Sequence, residues 1–257
     1  MGVGDLLDET FRLYRQHFGA FVGLGAVFLL PGFLLGLVLR LAPTRAALSG
    51  AELVLTWLLG LLLYAAMITA SSEAALGAAP TVGGAVRGLS GRLRPVLGAS
   101  LLYSFAPMLM AITLLGLPFA IYFLVAWSFV FQTLLLERLG VRRAFGRSRE
   151  LVRGGWWRVC GVGLLLFLLV LVIAIGLAVP AIVAQGLDQL LDPSTAEQPT
   201  GAAVVLGELT SFVSQVLTDP VLAIGWTLLY YDVRMRKEGF DLELRAHELA
   251  SAPPVAG

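Results

Sequence analysis

Apolar residues in this chain come in long unbroken runs, not in strand-like alternation. Six runs stand out: Phe18–Leu39, Leu53–Ser72, Val96–Gly116, Phe119–Leu136, Val159–Ala184 and Val204–Tyr230. At 1.5 Å per residue, a helix of about 20 residues crosses a hydrocarbon core of about 30 Å. Only "LLGLPFA", Leu114–Ala120, separates the third run from the fourth, and it contains Gly116 and Pro118. One helix through both runs would overshoot a bilayer, so the breakers predict a tight hairpin.

A different pattern precedes every second run. Leu7, Phe11, Tyr14 and Phe18 recur at helical spacing, with Asp8, Arg12, Arg15 and Gln16 on the other side. That is an amphipathic helix, with acids toward its N-terminus and arginines later, as the helix dipole favours. The stretches "FRLYRQHFGAFVGLG", "VRGLSGRLRPVLGAS" and "RELVRGGWWRVCGVG" each run from a basic segment into a span, with Gly23, Gly98 and Gly161 at matching places. The pattern predicts an all-α polytopic membrane bundle. It has six transmembrane helices and three amphipathic cytoplasmic helices, arranged as a threefold helix-plus-hairpin repeat within one domain, residues 1–257.

Composition agrees. The chain of 257 residues is 58% hydrophobic and 14% charged, against about 25% charged in soluble domains. Its net charge of +1 conceals an asymmetry. Sixteen cations lie before the first span, between the second and third, between the fourth and fifth, and after the sixth. The other side holds only Arg40 and Arg45, beside Glu52, Asp188, Asp192 and Glu197. The positive-inside bias then predicts cytoplasmic N- and C-termini. The first charges are Asp5, Asp8 and Glu9, and the first run is too long for a signal-peptide core, so it is expected to stay as an anchor.

Three polar regions could carry chemistry. The first is the arginine-rich loop between Trp127 and Val159. Arg147, Arg153 and Arg158, flanked by Trp156 and Trp157, are candidate contacts for anionic lipid on the cytoplasmic side. Ala144, Ser148, Leu151 and Val152 make one narrow face there, and Gly154 and Gly155 end the helix. No stacking platform or groove motif accompanies these cations, so a nucleic-acid partner is not expected.

The second region lies in the sixth span, where Glu208, Ser211, Gln215 and Thr218 recur about one turn apart and Asp219-Pro220 follows. Glu208, Gln215 and Asp219 are candidate cavity residues. In one reading Asp219 faces a water-filled cavity near the bilayer middle. In the other, the segment before Pro220 is a re-entrant or surface helix that places Asp219 near the outer interface. Pro220 also leaves the carbonyl of Val216 without its helical partner.

The third region is "LLYYDVRMRKEGFDLEL", Leu228–Leu244. Tyr230 and Tyr231 suit the headgroup level, and Arg234, Arg236 and Lys237 anchor the exit. Asp232 is expected to pair with a loop arginine, making Asp232, Arg234 and Arg236 the candidate docking residues of the tail. Gly239 is expected to end the helix, with Phe240, Leu242, Leu244 and Leu249 docking beyond it. The chain has one cysteine, Cys160, and two histidines, His17 and His247, far apart. No metal centre, cofactor or nucleophile motif is indicated, and no enzymatic activity is expected.

The opening "DLLDETFRLYRQHF" (Asp5–Phe18), Glu137 with "RRAFGRSRELVRGGWWRVCGV" (Arg142–Val162), and the closing stretch from Leu228 resemble a family of bacterial membrane proteins. That family is the glycerophosphoryl diester phosphodiesterase membrane-domain-like family. The resemblance implies an integral domain of the bacterial inner membrane. It does not carry the phosphodiesterase activity, because the histidine and acidic clusters of such a metal-dependent enzyme are missing from these residues. The expected function is a membrane accessory or scaffold that binds anionic lipid and a protein partner, or a further copy of itself, at the cytoplasmic face. The alternative is a transporter or lipid-handling protein using the polar cavity of the sixth span.

Overall fold

The computed structural model describes residues 2–41, 45–113, 115–185 and 201–251. No strand occurs among them. The first unit contains α1 (Val3–Gln16), α2 (Phe18–Leu41) and α3 (Arg45–Ala75). The second contains α4 (Val82–Gly88), α5 (Leu93–Ala111), α6 (Leu117–Ala126) and α7 (Val130–Leu136). The third contains α8 (Val141–Val152), α9 (Trp156–Gln185) and α10 (Gly201–Ser251). Six stretches are long and apolar enough to cross a bilayer: Phe18–Leu41, Gly50–Ala75, Leu93–Ala111, Leu117–Leu136, Trp156–Pro180 and Gly201–Gly239. The chain is a multi-pass membrane protein with an all-α helical-bundle fold.

Each unit is a short helix followed by an outer and an inner span. In the first spans, 22–28% of the most apolar stretch is buried, whereas in the second spans 39–56% is. Leu34, Val38, Met108, Leu109, Phe167 and Val172 are exposed on the outer spans, where lipid is their solvent. The inner spans α3, α7 and α10 hold the core, with Ala65, Ile68, Phe129, Leu134, Ile224 and Tyr230 fully buried.

The short helices lock the units together. α4 packs on α3 and α8 packs on α7, so each lies against the inner span of the unit before it. α1 packs on α10, which closes the set cyclically. The repeated glycines take part in this contact. A Cβ on Gly23 would lie 3.4 Å from Val82, the first residue of α4, and one on Gly98 would lie 3.7 Å from Val141, the first residue of α8. Gly161 has no neighbour within 4 Å of such a Cβ among the described residues. Local chemistry sets the helix ends. Thr81 Oγ1 accepts the Gly84 N–H at 3.0 Å to start α4, and Gly154, at φ +85°, stops α8 in the left-handed region open to glycine.

Two sequence expectations change. The fourth span is not one helix: a turn at Trp127–Phe129 separates α6 from α7. The cause lies in another element, since Ser148 of α8 enters the gap. Its Oγ donates to the Ala126 carbonyl at 2.9 Å and accepts the Phe129 N–H at 3.1 Å, replacing part of the helix's own ladder. α10, in contrast, runs unbroken through both Pro220 and Gly239. An interior proline costs about 3 kcal/mol and a glycine about 1 kcal/mol relative to alanine, and the packing of α10 on α2, α3 and α9 outweighs such terms. The segment before Pro220 is thus continuous with the rest of the sixth span. The side chains of Phe240, Leu242, Leu244 and Leu249 lie outside the described residues, as do Asp188, Asp192 and Glu197.

Ser148→Ala should destabilise the bundle by about 1–3 kcal/mol, because the buried Phe129 N–H loses its acceptor. Thermal unfolding of the detergent-solubilised protein measures this. An unchanged midpoint would show that the break stands without the serine.

Candidate functional site

Polar side chains inside the bundle gather at three levels. The first is at the end away from the arginine-rich loops, where α2, α3 and α10 enclose a cavity of about 290 Å³. Glu52 and Thr56 of α3, Arg40 of α2, and Glu208, Ser211 and Gln215 of α10 supply its polar wall. Phe28, Phe33 and Phe212 supply the apolar one. Arg40 Nη1 meets Glu208 Oε1 at 2.7 Å, and Glu52 lines the same mouth. Glu208 and Gln215 are thus brought together, as the stripe predicts. Thr218 leaves the stripe, because its Oγ1 donates to the Ser214 carbonyl of its own helix at 2.8 Å.

The second level begins one turn further in. Asp219 lines a cavity of about 250 Å³ with Gly60, Leu63, Tyr64, Met67, Leu222 and Trp226. Tyr64 and Trp226 are shared with an adjoining cavity of about 320 Å³, also lined by Trp57, Leu61, Ser100, Tyr103, Ser128 and Phe131. Asp219 precedes Tyr230 by eleven residues on the unbroken α10, about 16 Å at 1.5 Å per residue. An ionised aspartate within hydrocarbon costs about 2.5–3.5 kcal/mol on insertion scales, and such residues face the bundle interior. Asp219 has no ion pair or hydrogen bond among the described residues.

Below these cavities the bundle is closed. Phe129 stands edge-on to Trp226 at 6.0 Å and to Tyr230 at 5.9 Å, and both Phe129 and Tyr230 are fully buried. Gly163 lets the floor pack tightly, since a Cβ there would lie 2.6 Å from the Trp226 indole.

The third level is the basic end, where the tail meets the loops. Glu137, at the end of α7, accepts from Arg147 at 3.1 Å and from Tyr230 Oη at 2.7 Å. Arg147 also pairs with Glu238, which Arg234 holds at 2.9 Å. Burial works against the charge of Arg147, but Glu137 and Glu238 outweigh it and its pKa moves up. A second cluster joins Asp232, only 2% exposed, to Arg158 at 2.9 Å and Arg236 at 3.0 Å. Lys237 donates to the Glu150 carbonyl. The expected pairing of Asp232 with a loop arginine is present.

Arg147, Arg153 and Arg158 do share one pocket, of about 690 Å³, together with Arg236, Lys237, Glu150 and Glu238. The two tryptophans are not part of it. Trp157 is 82% exposed, while Trp156 stacks on Tyr122 and donates to its carbonyl at 3.3 Å.

Sequence reading missed the partners of the sixth span: Arg40, Glu52, Thr56, Tyr64, Ser100, Tyr103, Ser128 and Trp226. A signal existed on α3, where Glu52, Thr56, Gly60 and Tyr64 recur every fourth residue within an apolar run. That spacing puts them on one helix face. Among the described residues no group of three or more His, Cys, Asp or Glu side chains is placed to hold a metal ion.

Neither the family models, nor the curated proteins, nor the solved structures compared with this chain gave a match.

Asp232→Ala should lower stability by about 3 kcal/mol, since it breaks a buried ionic cluster. Arg236→Ala, at the exposed edge of the same cluster, should cost no more than about 1 kcal/mol. Equal losses in thermal unfolding would mean that burial of Asp232 does not set the strength of this junction.

Proposed function

We propose that this chain is a non-enzymatic protein of the bacterial cytoplasmic membrane, a transporter or lipid-handling protein that receives a small polar or amphiphilic ligand through the cavities beside its sixth span. Positive-inside bias places the arginine-rich end and both termini in the cytoplasm, so the mouth at Arg40, Glu52 and Glu208 faces outward. The observation that carries the reading is the succession of cavities along two facing stripes. One stripe is Glu52, Thr56, Gly60 and Tyr64 on α3; the other is Glu208, Ser211, Gln215 and Asp219 on α10. Together they run along α3 and α10 from the Arg40 end to Asp219, short of the packed rings of Phe129 and Tyr230.

The scaffold reading has a specific observation of its own, the basic pocket at Arg147, Arg153 and Arg158, which suits an anionic lipid headgroup. It ranks second because Arg147 and Arg158 are already held by carboxylates of the chain itself, so an incoming phosphate must compete with them. A protein partner or a second copy of the chain belongs to this reading.

Cysteine accessibility tests the proposed path, and the single native Cys160 makes a cysteine-free background simple to prepare. In Cys160→Ser protein, Thr56→Cys, Ser211→Cys and Gln215→Cys should react with a membrane-impermeant thiol reagent added from outside. Leu164→Cys, on the lipid-facing side of α9, should not. Silence at all three path positions in folded protein would refute an outward-open path.

A further inference from the structure

We infer that the paired cavities meeting at Tyr64 and Trp226 form a binding site for an organic cation, whose ammonium group sits between Asp219 and the surrounding aromatic faces. The inference rests on the path proposed above and names the class of ligand that it would admit.

Charge and shape point the same way. Among the described residues Asp219 is the one carboxylate lining either cavity, and no cationic side chain lines them. The carboxylate has no partner of its own among the described residues. Tyr64 and Trp226 line its cavity, and Trp57, Tyr103 and Phe131 line the adjoining one. Aromatic rings present negative faces, and several of them beside one carboxylate attract a desolvated ammonium. Tyr64 and Tyr103 both lie edge-on to Phe131, at 5.7 and 5.9 Å, so the rings are fixed relative to one another.

An unpartnered polar atom adds a second, independent observation. Ser128 lines the larger cavity, and its buried Oγ has no hydrogen-bond partner among the described residues. An anion would meet a carboxylate and the negative faces of the rings, both repulsive to it. A bare metal ion would find one carboxylate and a few hydroxyls where six to eight oxygens are wanted. A proton alone would need no aromatic enclosure. Volumes of about 250 and 320 Å³ also exceed what a dehydrated ion fills.

The test uses the full chain in lipid nanodiscs with choline and tetraethylammonium as probes and 3,3-dimethylbutan-1-ol as the uncharged isostere of choline. Calorimetric titration should show saturable binding of at least one cation, with the isostere at least tenfold weaker. Asp219→Asn should weaken the cation at least tenfold, while Asp219→Glu should keep its affinity within a few-fold. If Asp219→Asn does not fold, Trp226→Leu and Tyr103→Leu take its place and should each weaken the cation but leave the isostere unchanged. Equal binding of choline and its isostere, or full cation affinity without the carboxylate or the rings, would overturn the proposal. No binding at all, with Gln215→Cys still labelled from outside, would overturn the cation site and spare the path. No binding together with no labelling would remove both.

Discussion

Hydrocarbon offers no hydrogen-bond partners, so the interior of this bundle has to satisfy its own polar groups. Much of the architecture answers that constraint. Thr218 and Thr227 each donate to the carbonyl one turn back on α10, at 2.8 and 2.7 Å. Thr69 of α3 donates to Ala66 in its own helix and to Ala85 in α4. Where the fourth span breaks, Ser148 supplies both the acceptor and the donor that the turn lacks. Against this background Asp219 and the buried hydroxyls of Ser71 and Ser128 are exceptions, with no hydrogen-bond partner among the described residues.

The basic end answers a different constraint. Its arginines are usually read as topology signals or lipid anchors, but several are structural cations here. Arg92 donates to the carbonyls of Arg138 and Leu139, closing the end of α7. Arg147 ties α7, α8 and α10 through Glu137 and Glu238, and Arg158 ties α9 to α10 through Asp232. The same arginines that dominate this end thus fasten its helices to one another. Tyr230 couples this layer to the membrane core, since its hydroxyl reaches Glu137 while its ring packs on Phe129.

The fold was legible because bilayer crossing imposes length and hydropathy on contiguous residues. All six spans follow from such runs, as does the repeat, whose glycines lie at contact points that Val82 and Val141 fill in two of three units. The site was only half legible. Glu208, Gln215 and Asp219 share a helix, and helical spacing displays them. Arg40, Ser100, Tyr103 and Ser128 reach the cavities from other helices, and which helices meet is decided by packing. The break at Trp127–Phe129 was hidden for a similar reason: no residue of that turn is a breaker, and its cause is a serine nineteen residues after Phe129. Gly239 misled in the other direction, because a lone glycine within strong helix formers is tolerated.

The cyclic order of the units has a consequence for synthesis. α4 and α8 find their seats on spans that precede them in the chain, so both can dock as soon as they emerge. α1 cannot, because its seat is α10, the most distant from it in sequence of the described helices. Its apolar face, with Leu6 and Leu13 buried in the folded protein, has no such mate until α10 has been inserted. Contacts of such wide sequence separation form late and leave apolar surface exposed while they wait. The N-terminal helix therefore acts as a clasp: its closure marks the moment at which the third unit has joined the first, and a nascent chain lacking α10 would present that helix, unclasped, to the membrane surface.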